Sequence, residues 1–262
     1  MRQPLGQHFL KDKRKISQII DALELQEGDT VIEVGPGRGA LTRELGARNK
    51  ALKVIAIEKD KELAAYAEQY LAPELEKAGN KFEVIAGDVR EIIPKLGSYN
   101  LKSYKLIGNI PYYLTGTLLR ALGGLGPLPE RIVLTIQKEV AERVTAVPPK
   151  MNILAASVQF WAEPKITARI SAGAFSPPPD VNSAVLLLTP RSDTPTHLKE
   201  RYYRLMRALF RYPRKTIHNN IAASPEHISE EKLREVGIDP GARPQNLSRD
   251  DLVRLSENYE NV

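Results

Sequence analysis

Between residues 30 and 136, five short apolar runs alternate with stretches of helical periodicity, and this alternation constrains the fold more than any other feature. The runs TVIEV at 30–34, KVIAI at 53–57, FEVIA at 82–86, YKLIG at 104–108 and RIVLTI at 131–136 are short and rich in β-branched residues. Such runs predict strands covered on both faces, as in a parallel sheet. Between the second and third, Asp60 is placed to cap a helix that carries Leu63, Ala67, Tyr70 and Leu71 on one face and ends at Gly79. Further helices are expected over 115–122 and 137–144, and two more strands over 153–161 and 183–188. The last follows FSPPPDVN at 175–182, whose prolines force an extended loop. The expected fold is therefore α/β, with about seven strands in a Rossmann-like sheet.

The turn-rich run TPRSDTPTH at 189–197 has no periodicity and marks the expected boundary. It separates an α/β domain over 1–190 from a small helical domain over 191–262, in which EEKLREVGI at 230–238 and SRDDLVRLSENY at 248–259 have helix starts.

Charge is distributed unevenly. The chain carries a formal net charge of +6, and the stretch 191–220 holds eight basic against two acidic side chains, so the rest is neutral. Arg201, Arg204, Arg207 and Arg211 recur at helical spacing, with Tyr202, Leu205, Met206, Leu209 and Phe210 on the opposite side. Together with Arg214 and Lys215 they predict a face that packs and a face that binds a polyphosphate. The chain has no cysteine, and His8, His197, His218 and His227 are scattered, which speaks against a disulfide framework, a cysteine nucleophile or a metal centre. The first fifteen residues are basic without an apolar run, and the longest uncharged stretch, about 106–119, is shorter than a bilayer span. A cytoplasmic monomer without membrane contact is the expectation.

The motif EVGPGRG at 33–39 closes the first strand and opens a helix, where small residues let the backbone approach a ligand. Nineteen residues past Gly39, Glu58 ends the second strand, where a carboxylate can hold both hydroxyls of a ribose. The glycines are spaced GxGxG rather than GxGxxG, which favours S-adenosylmethionine over a dinucleotide, with Gly35 and Gly37 in the cofactor site. Asp88 follows the third strand, placed to accept from an adenine amino group or to cap the next helix, and its position in the series of strand ends favours the first.

Asn109-Ile110-Pro111-Tyr112-Tyr113 follows the fourth strand. An exocyclic adenine amine is a poor nucleophile because its lone pair is delocalised into the ring. The Asn109 amide oxygen and the Ile110 carbonyl are placed to accept its N–H groups and draw the nitrogen toward tetrahedral geometry. Pro111 directs the Ile110 carbonyl, and the Tyr112 ring offers a stacking face for an extruded base.

With GQHFL at 6–10, QKEVAERV at 137–144, FSPPPDVNSAV at 175–185, RKTIHNN at 214–220 and RPQNLSRDDLVRL at 243–255, the chain resembles a known family over nearly its whole length. This is the ribosomal RNA adenine dimethyltransferases that act on two adjacent adenines near the 3′ end of small-subunit RNA. The resemblance implies a Rossmann-like S-adenosylmethionine-dependent domain with a small C-terminal helical domain, a cofactor site of His8, Leu10, Gly35, Glu58, Asp88 and Asn109, and Phe175 as a second ring near the target base. It implies small-subunit ribosomal RNA, or the assembling subunit, as partner. The roles of His8 and Phe175 rest on the resemblance alone. The chain departs from the family pattern at PPKMNILAAS over 148–157 and at Tyr212-Pro213, which leave one arginine before RKT where two are common. Three other classes compete: a nucleotide-dependent dehydrogenase, which gives NIPYY no role, a non-catalytic ribosome-assembly factor, and the related methyltransferases of a large-subunit adenine that confer antibiotic resistance.

Overall fold

The computed structural model describes residues 8–99, 101, 103–222 and 228–259. The expectations placed on the basic residues before His8, on Gly6 and Gln7 of the 6–10 motif, and on His227 lie outside the described residues. By contacts the chain forms two compact units, Met1–Ala141 with Pro164–Pro190, and Glu142–Glu163 with Arg191–Val262.

The elements in chain order are β1 (Phe9–Leu10), α1 (Lys13–Asp21), β2 (Thr30–Val34), α2 (Ala40–Arg48), β3 (Lys53–Glu58), α3 (Lys61–Tyr66), α4 (Ala72–Lys77), β4 (Lys81–Ala86), α5 (Val89–Ile92), β5 (Lys105–Asn109), α6 (Thr115–Leu122) and β6 (Arg131–Gln137). They continue with α7 (Lys138–Val144), α8 (Ile153–Gln159), β7 (Ala162–Ile170), β8 (Phe175–Ser176), β9 (Ser183–Pro190), α9 (Lys199–Leu209), α10 (Ile217–Ile221), α11 (Glu230–Glu235) and α12 (Arg249–Glu257).

Seven strands form one sheet in the order β4-β3-β2-β5-β6-β9-β7. The first five pair in parallel, and β9 runs antiparallel to β6. Strands β2, β5 and β6 are buried along nearly their whole length, as their unbroken apolar runs require. Strand order reverses at β2, with β3 on one side and β5 on the other, and a crevice at such a switch point beyond the carboxyl ends of the strands is where open α/β sheets hold ligands. The predicted helix after β3 is capped by Asp60, whose side chain accepts from Glu62 and Leu63 N–H, and passes through a π-helical turn at Ala67–Leu71 before α4. Of its expected inner face Ala67 and Leu71 are buried, while Tyr70 is half exposed.

Two sequence expectations are corrected. Residues 153–161 are not a strand. Asn152 accepts the Leu154 and Ala155 N–H groups and caps α8, whose buried residues include Ala155, Ala156 and Val158. The seventh strand is β7, which alternates buried or half-buried with exposed positions. Its charged outward residues and Pro164 suit a sheet edge and hide the apolar signal. The domains also do not divide at a single cut after residue 190, because 142–163 belongs with the C-terminal unit. There the Tyr202 hydroxyl donates to the Ala156 carbonyl at 2.9 Å, and the Phe160 ring lies 4.3 Å from that of Tyr202, which ties α8 to α9. Among the described residues no helix is long and apolar enough to cross a membrane.

Candidate active site

A cavity of about 300 Å³ opens in the first unit, beyond the carboxyl ends of β2, β3 and β5, within the size range of small-molecule pockets. It brings together His8, Leu10, Gly35, Gly37, Glu58, Asn109, Ile110, Pro111, Tyr112 and Phe175. Glu33, Phe9, Lys11 and Ser183, which sequence reasoning did not assign to the site, line it too.

The glycine-rich turn is shaped by its backbone. Gly39 has φ 80°, and a Cβ there would stand 2.4 Å from the buried Leu71 Cδ2, so the π-helical turn presses directly on the start of α2. At Gly37, with φ 55°, a Cβ would reach 3.0 Å from the Phe9 ring. Only glycine meets both demands, left-handed backbone and close approach. A Cβ at Gly35, also at positive φ, would meet nothing within 4 Å, so this part of the turn borders free space.

Two carboxylates form the acidic side of the cavity. Glu58 is 6% exposed and accepts from the Gly37 N–H at 3.1 Å and the Asp60 N–H at 3.0 Å, one to each oxygen. Burial raises its pKa against the pull of these donors. Glu33 is 1% exposed, and its Oε2 accepts from the Thr42 hydroxyl at 2.8 Å. Its Oε1 is buried and meets no donor among the described residues. Burial pushes the Glu33 carboxyl up to about 7. A charged residue inside an otherwise apolar strand was the signal that could have singled it out.

The wall facing the acids is built from β1 and the turn after β5. Strand β1 pairs antiparallel with β8, Leu10 opposite Phe175, and both side chains are buried. The Asn109 side chain donates from Nδ2 to the His8 carbonyl at 3.0 Å. A carbonyl can only accept, so the amide nitrogen must face His8, and Oδ1 is left as the acceptor on the other side. The Ile110 N–H donates to the Thr135 carbonyl at 3.0 Å, while among the described residues nothing donates to the Ile110 carbonyl. Tyr112 shares a hydrogen bond of 3.1 Å between its hydroxyl and that of Ser183, and its ring lies 6.1 Å from the His8 ring. His8 Nδ1 in turn donates to the Pro177 carbonyl at 2.9 Å.

Asp88 does not line this cavity. It caps α5 by accepting from the Arg90 N–H, and its carboxylate is also paired with the Arg90 guanidinium and the Lys59 ammonium. The Arg90 hydrogen bonds hold the carboxyl well below the usual carboxylate range.

In the second unit, α9 buries Tyr202, Leu205, Met206 and Leu209, and Phe210 is half buried. Arg201 is half buried and donates to the Glu257 carbonyl, and Arg204 is half buried as well. Arg207, Arg211, Arg214 and Lys215 are exposed, and among the described residues no acidic side chain pairs with any of them.

A family model described as ribosomal RNA adenine dimethylase matches residues 1–261. The ribosomal RNA small subunit methyltransferase A of Pelotomaculum thermopropionicum is 38% identical over 280 residues, spanning 98% of this chain and 91% of the relative. A protein of the same name from Dehalococcoides mccartyi strain CBDB1 is 36% identical, spanning 98% and 88%. Among solved structures, a dimethyladenosine transferase from Plasmodium falciparum matches with a TM-score of 0.77 at 25% identity, over 95% of this chain and 96% of the other. The 23S rRNA methyltransferase ErmE matches with a TM-score of 0.75 at 25% identity, over 97% and 100%.

Proposed function

Because the chain belongs to the ribosomal RNA adenine dimethylase family, we propose that it uses S-adenosylmethionine to methylate, twice each, the N6 amino groups of two adjacent adenines in the 3′-terminal hairpin of small-subunit ribosomal RNA. The observation that carries this reading is the turn after β5, where the Asn109 Oδ1 and the Ile110 carbonyl are two acceptors that meet no donor among the described residues. An amine with two N–H groups is the complement of such a pair. Structural likeness alone does not choose between ribosomal subunits, since ErmE matches almost as well as the dimethyladenosine transferase. The sequence relatives named above, both small-subunit methyltransferases, support the small-subunit reading.

The residues lining the cavity fit the donor. Gly35 and Gly37 give close backbone approach, Glu58 keeps a lone pair on each oxygen for ribose hydroxyls, and Glu33 holds a buried oxygen that meets no donor among the described residues and suits a positively charged ligand. His8 and Leu10 close the side formed by β1, and Asp88, outside the cavity lining and just after β4, the strand next to β3, would accept from the donor's adenine amino group. When bound, S-adenosylmethionine supplies an electrophilic methyl carbon on a cationic sulfur.

The chain's own contribution is positioning and hydrogen bonding. Tyr112, held by Ser183, and Phe175, held in β8, supply faces against which an extruded base stacks. Asn109 and Ile110 take the two N–H groups, localise the lone pair on nitrogen and stabilise the positive charge that builds there during attack. Pro111 has φ −54° and holds the Ile110 carbonyl in the turn. Aligning nucleophile and electrophile in this way is worth up to about 7–11 kcal/mol of the barrier. The proton released from nitrogen passes to solvent. In the second round the amine has one N–H left, so one of the two acceptors suffices. Arg201, Arg204, Arg207, Arg211, Arg214 and Lys215 are proposed to hold the phosphate backbone of the RNA, or of the assembling subunit, with the four exposed side chains contributing most.

The test is Asn109→Ala, assayed by mass spectrometry of nuclease-digested small-subunit RNA. Loss of one of the two aligned acceptors is expected to slow the first addition, and with it the appearance of dimethyladenine, by about 10²–10³-fold. Dimethylation at the wild-type rate would overturn the assignment, and methylation mapping to large-subunit RNA would overturn the substrate.

A further inference from the structure

The connection between α9 and α10 is short, exposed and strongly basic, yet it is tied down from below. Tyr212-Pro213-Arg214-Lys215 forms a tight turn in which the Lys215 N–H donates to the Tyr212 carbonyl at 2.9 Å. Pro213 occupies the second position, where its fixed φ favours such a turn. Beneath the turn lies Asn220, 2% exposed. Its Oδ1 accepts from the Tyr212 N–H at 3.1 Å, and its Nδ2 donates to the carbonyls of Tyr212 at 3.1 Å, Thr216 at 3.0 Å and Lys215 at 3.3 Å. One buried amide thus engages four backbone groups of a surface loop, its two Nδ2 hydrogens shared among three carbonyls, which fixes the loop's path.

What the loop presents is equally ordered. Tyr212 is 40% exposed, and its ring holds two cations, the Arg211 guanidinium 5.3 Å and the Lys215 ammonium 4.7 Å from its centroid. Two like charges brought to one place repel each other, and a long basic side chain loses rotamer freedom when it is held. A shared aromatic ring offsets both effects through its quadrupole. Arg214 is exposed at the crest of the same turn, and among the described residues none of the three cations has an acidic partner. A surface that gathers cations and supplies no counter-charge is built for an external polyanion.

We propose that residues 211–215 are a preorganised clamp for RNA phosphates, in which Tyr212 gathers Arg211 and Lys215 onto one ring and Asn220 is the buried positioning residue that sets the turn. The proposal rests on the reading of the substrate as ribosomal RNA, and it gives Tyr212, an aromatic residue in a basic stretch, a defined task. The clamp contains none of the residues assigned to methyl transfer, so its expected effect is on RNA affinity and not on the chemical step.

The experiment measures binding of unmethylated small-subunit ribosomal RNA as a function of salt, together with methylation kinetics, for the full chain and its variants. Tyr212→Ala is expected to weaken RNA binding and raise KM about fivefold to tenfold, with kcat at saturating RNA unchanged and the salt slope shallower by about one phosphate contact. Tyr212→Phe, which keeps the ring, is expected to match the wild type. Asn220→Asp, which keeps the acceptor for the Tyr212 N–H and loses the donors, is expected to raise KM similarly, with thermal melting used to confirm that the fold persists. Arg214→Ala and Lys215→Ala separate the two levels of the argument. If they weaken binding while Tyr212→Ala leaves affinity and salt slope unchanged, the clamp is refuted and the RNA reading stands. If neither these variants nor Tyr212→Ala change affinity, the basic face as a whole is not an RNA surface. Equal losses in Tyr212→Phe and Tyr212→Ala would also overturn the proposal, because the hydroxyl and not the ring would then matter.

Discussion

Three carboxylates stand at the same edge of three neighbouring strands, yet the chain treats them in opposite ways. Glu33 in β2 and Glu58 at the end of β3 are buried, and burial raises the pKa of both, that of Glu33 to about 7. Asp88, just after β4, is claimed by Arg90 and Lys59 and lies well below that range. Position at a strand end does not make an acid a ligand. An acid kept from water and short of donors is left with bonding capacity to offer, whereas one beside its own helix and two bases has already used much of it. The floor of the cavity thus stores an electrostatic cost, and the outer strand does not.

The largest effect expected from this contrast concerns Glu33. An acid whose folded pKa is raised binds its proton more tightly in the folded than in the unfolded chain, so stability is greatest below the unfolded value and declines as pH rises toward the folded one. For Glu33 the window runs from 4.5 to about 7. Across it the protein is expected to lose up to about 3 kcal/mol on this group's account. Urea unfolding at pH 5 and pH 8 should show Glu33→Gln more stable than the wild type at pH 8 by an amount that shrinks at pH 5. Equal pH slopes in the two proteins would show that Glu33 is ionised at no cost and that the contrast with Asp88 is not one of burial. Next in size is Glu58→Ala, expected to weaken binding of S-adenosylmethionine about 100-fold in calorimetric titration, the equivalent of two charge-assisted hydrogen bonds at about 1.5 kcal/mol each.

The same contrast explains what sequence reasoning reached. The central strands were legible because the core of a parallel sheet demands unbroken β-branched runs, and TVIEV at 30–34 coincides with β2. Residues 153–161 were misread for a related reason. An apolar run of that length fits a buried helix face as well as a strand, and the deciding signal was the Asn152 cap immediately before it. Strand β7 was missed because four of its nine residues face solvent and three of these, Glu163, Lys165 and Arg169, carry charge. The glycines, Glu58 and the Asn109 turn announce themselves by residue type at strand ends. Glu33 does not, because it lies inside β2, one residue before the strand's end, where residue type alone does not tell a buried structural acid from a ligand. Strand β1 was invisible because its two residues are defined only by pairing with 175–176, far along the chain. For Asp88, position in the series of strand ends favours the ligand over the helix cap, and the structure shows the cap.

Asp88 therefore supplies the smallest of these effects and the one that sharpens the comparison most. Asp88→Ala removes the cap of α5, which costs about 1 kcal/mol of stability, and leaves Arg90 and Lys59 without their shared partner. Its carboxylate is already engaged by those two bases, so the added bond to a donor's adenine amino group is weak, and S-adenosylmethionine affinity is expected to fall about fivefold, far less than in Glu58→Ala. Asp88→Asn keeps a capping oxygen and should recover most of the stability while retaining the small affinity loss. If Asp88→Ala instead weakens donor binding as much as Glu58→Ala does, the bases must release Asp88 when the donor arrives. The acid that looks satisfied would then be a ligand held in reserve, and burial would no longer be what separates the two kinds of carboxylate along this edge.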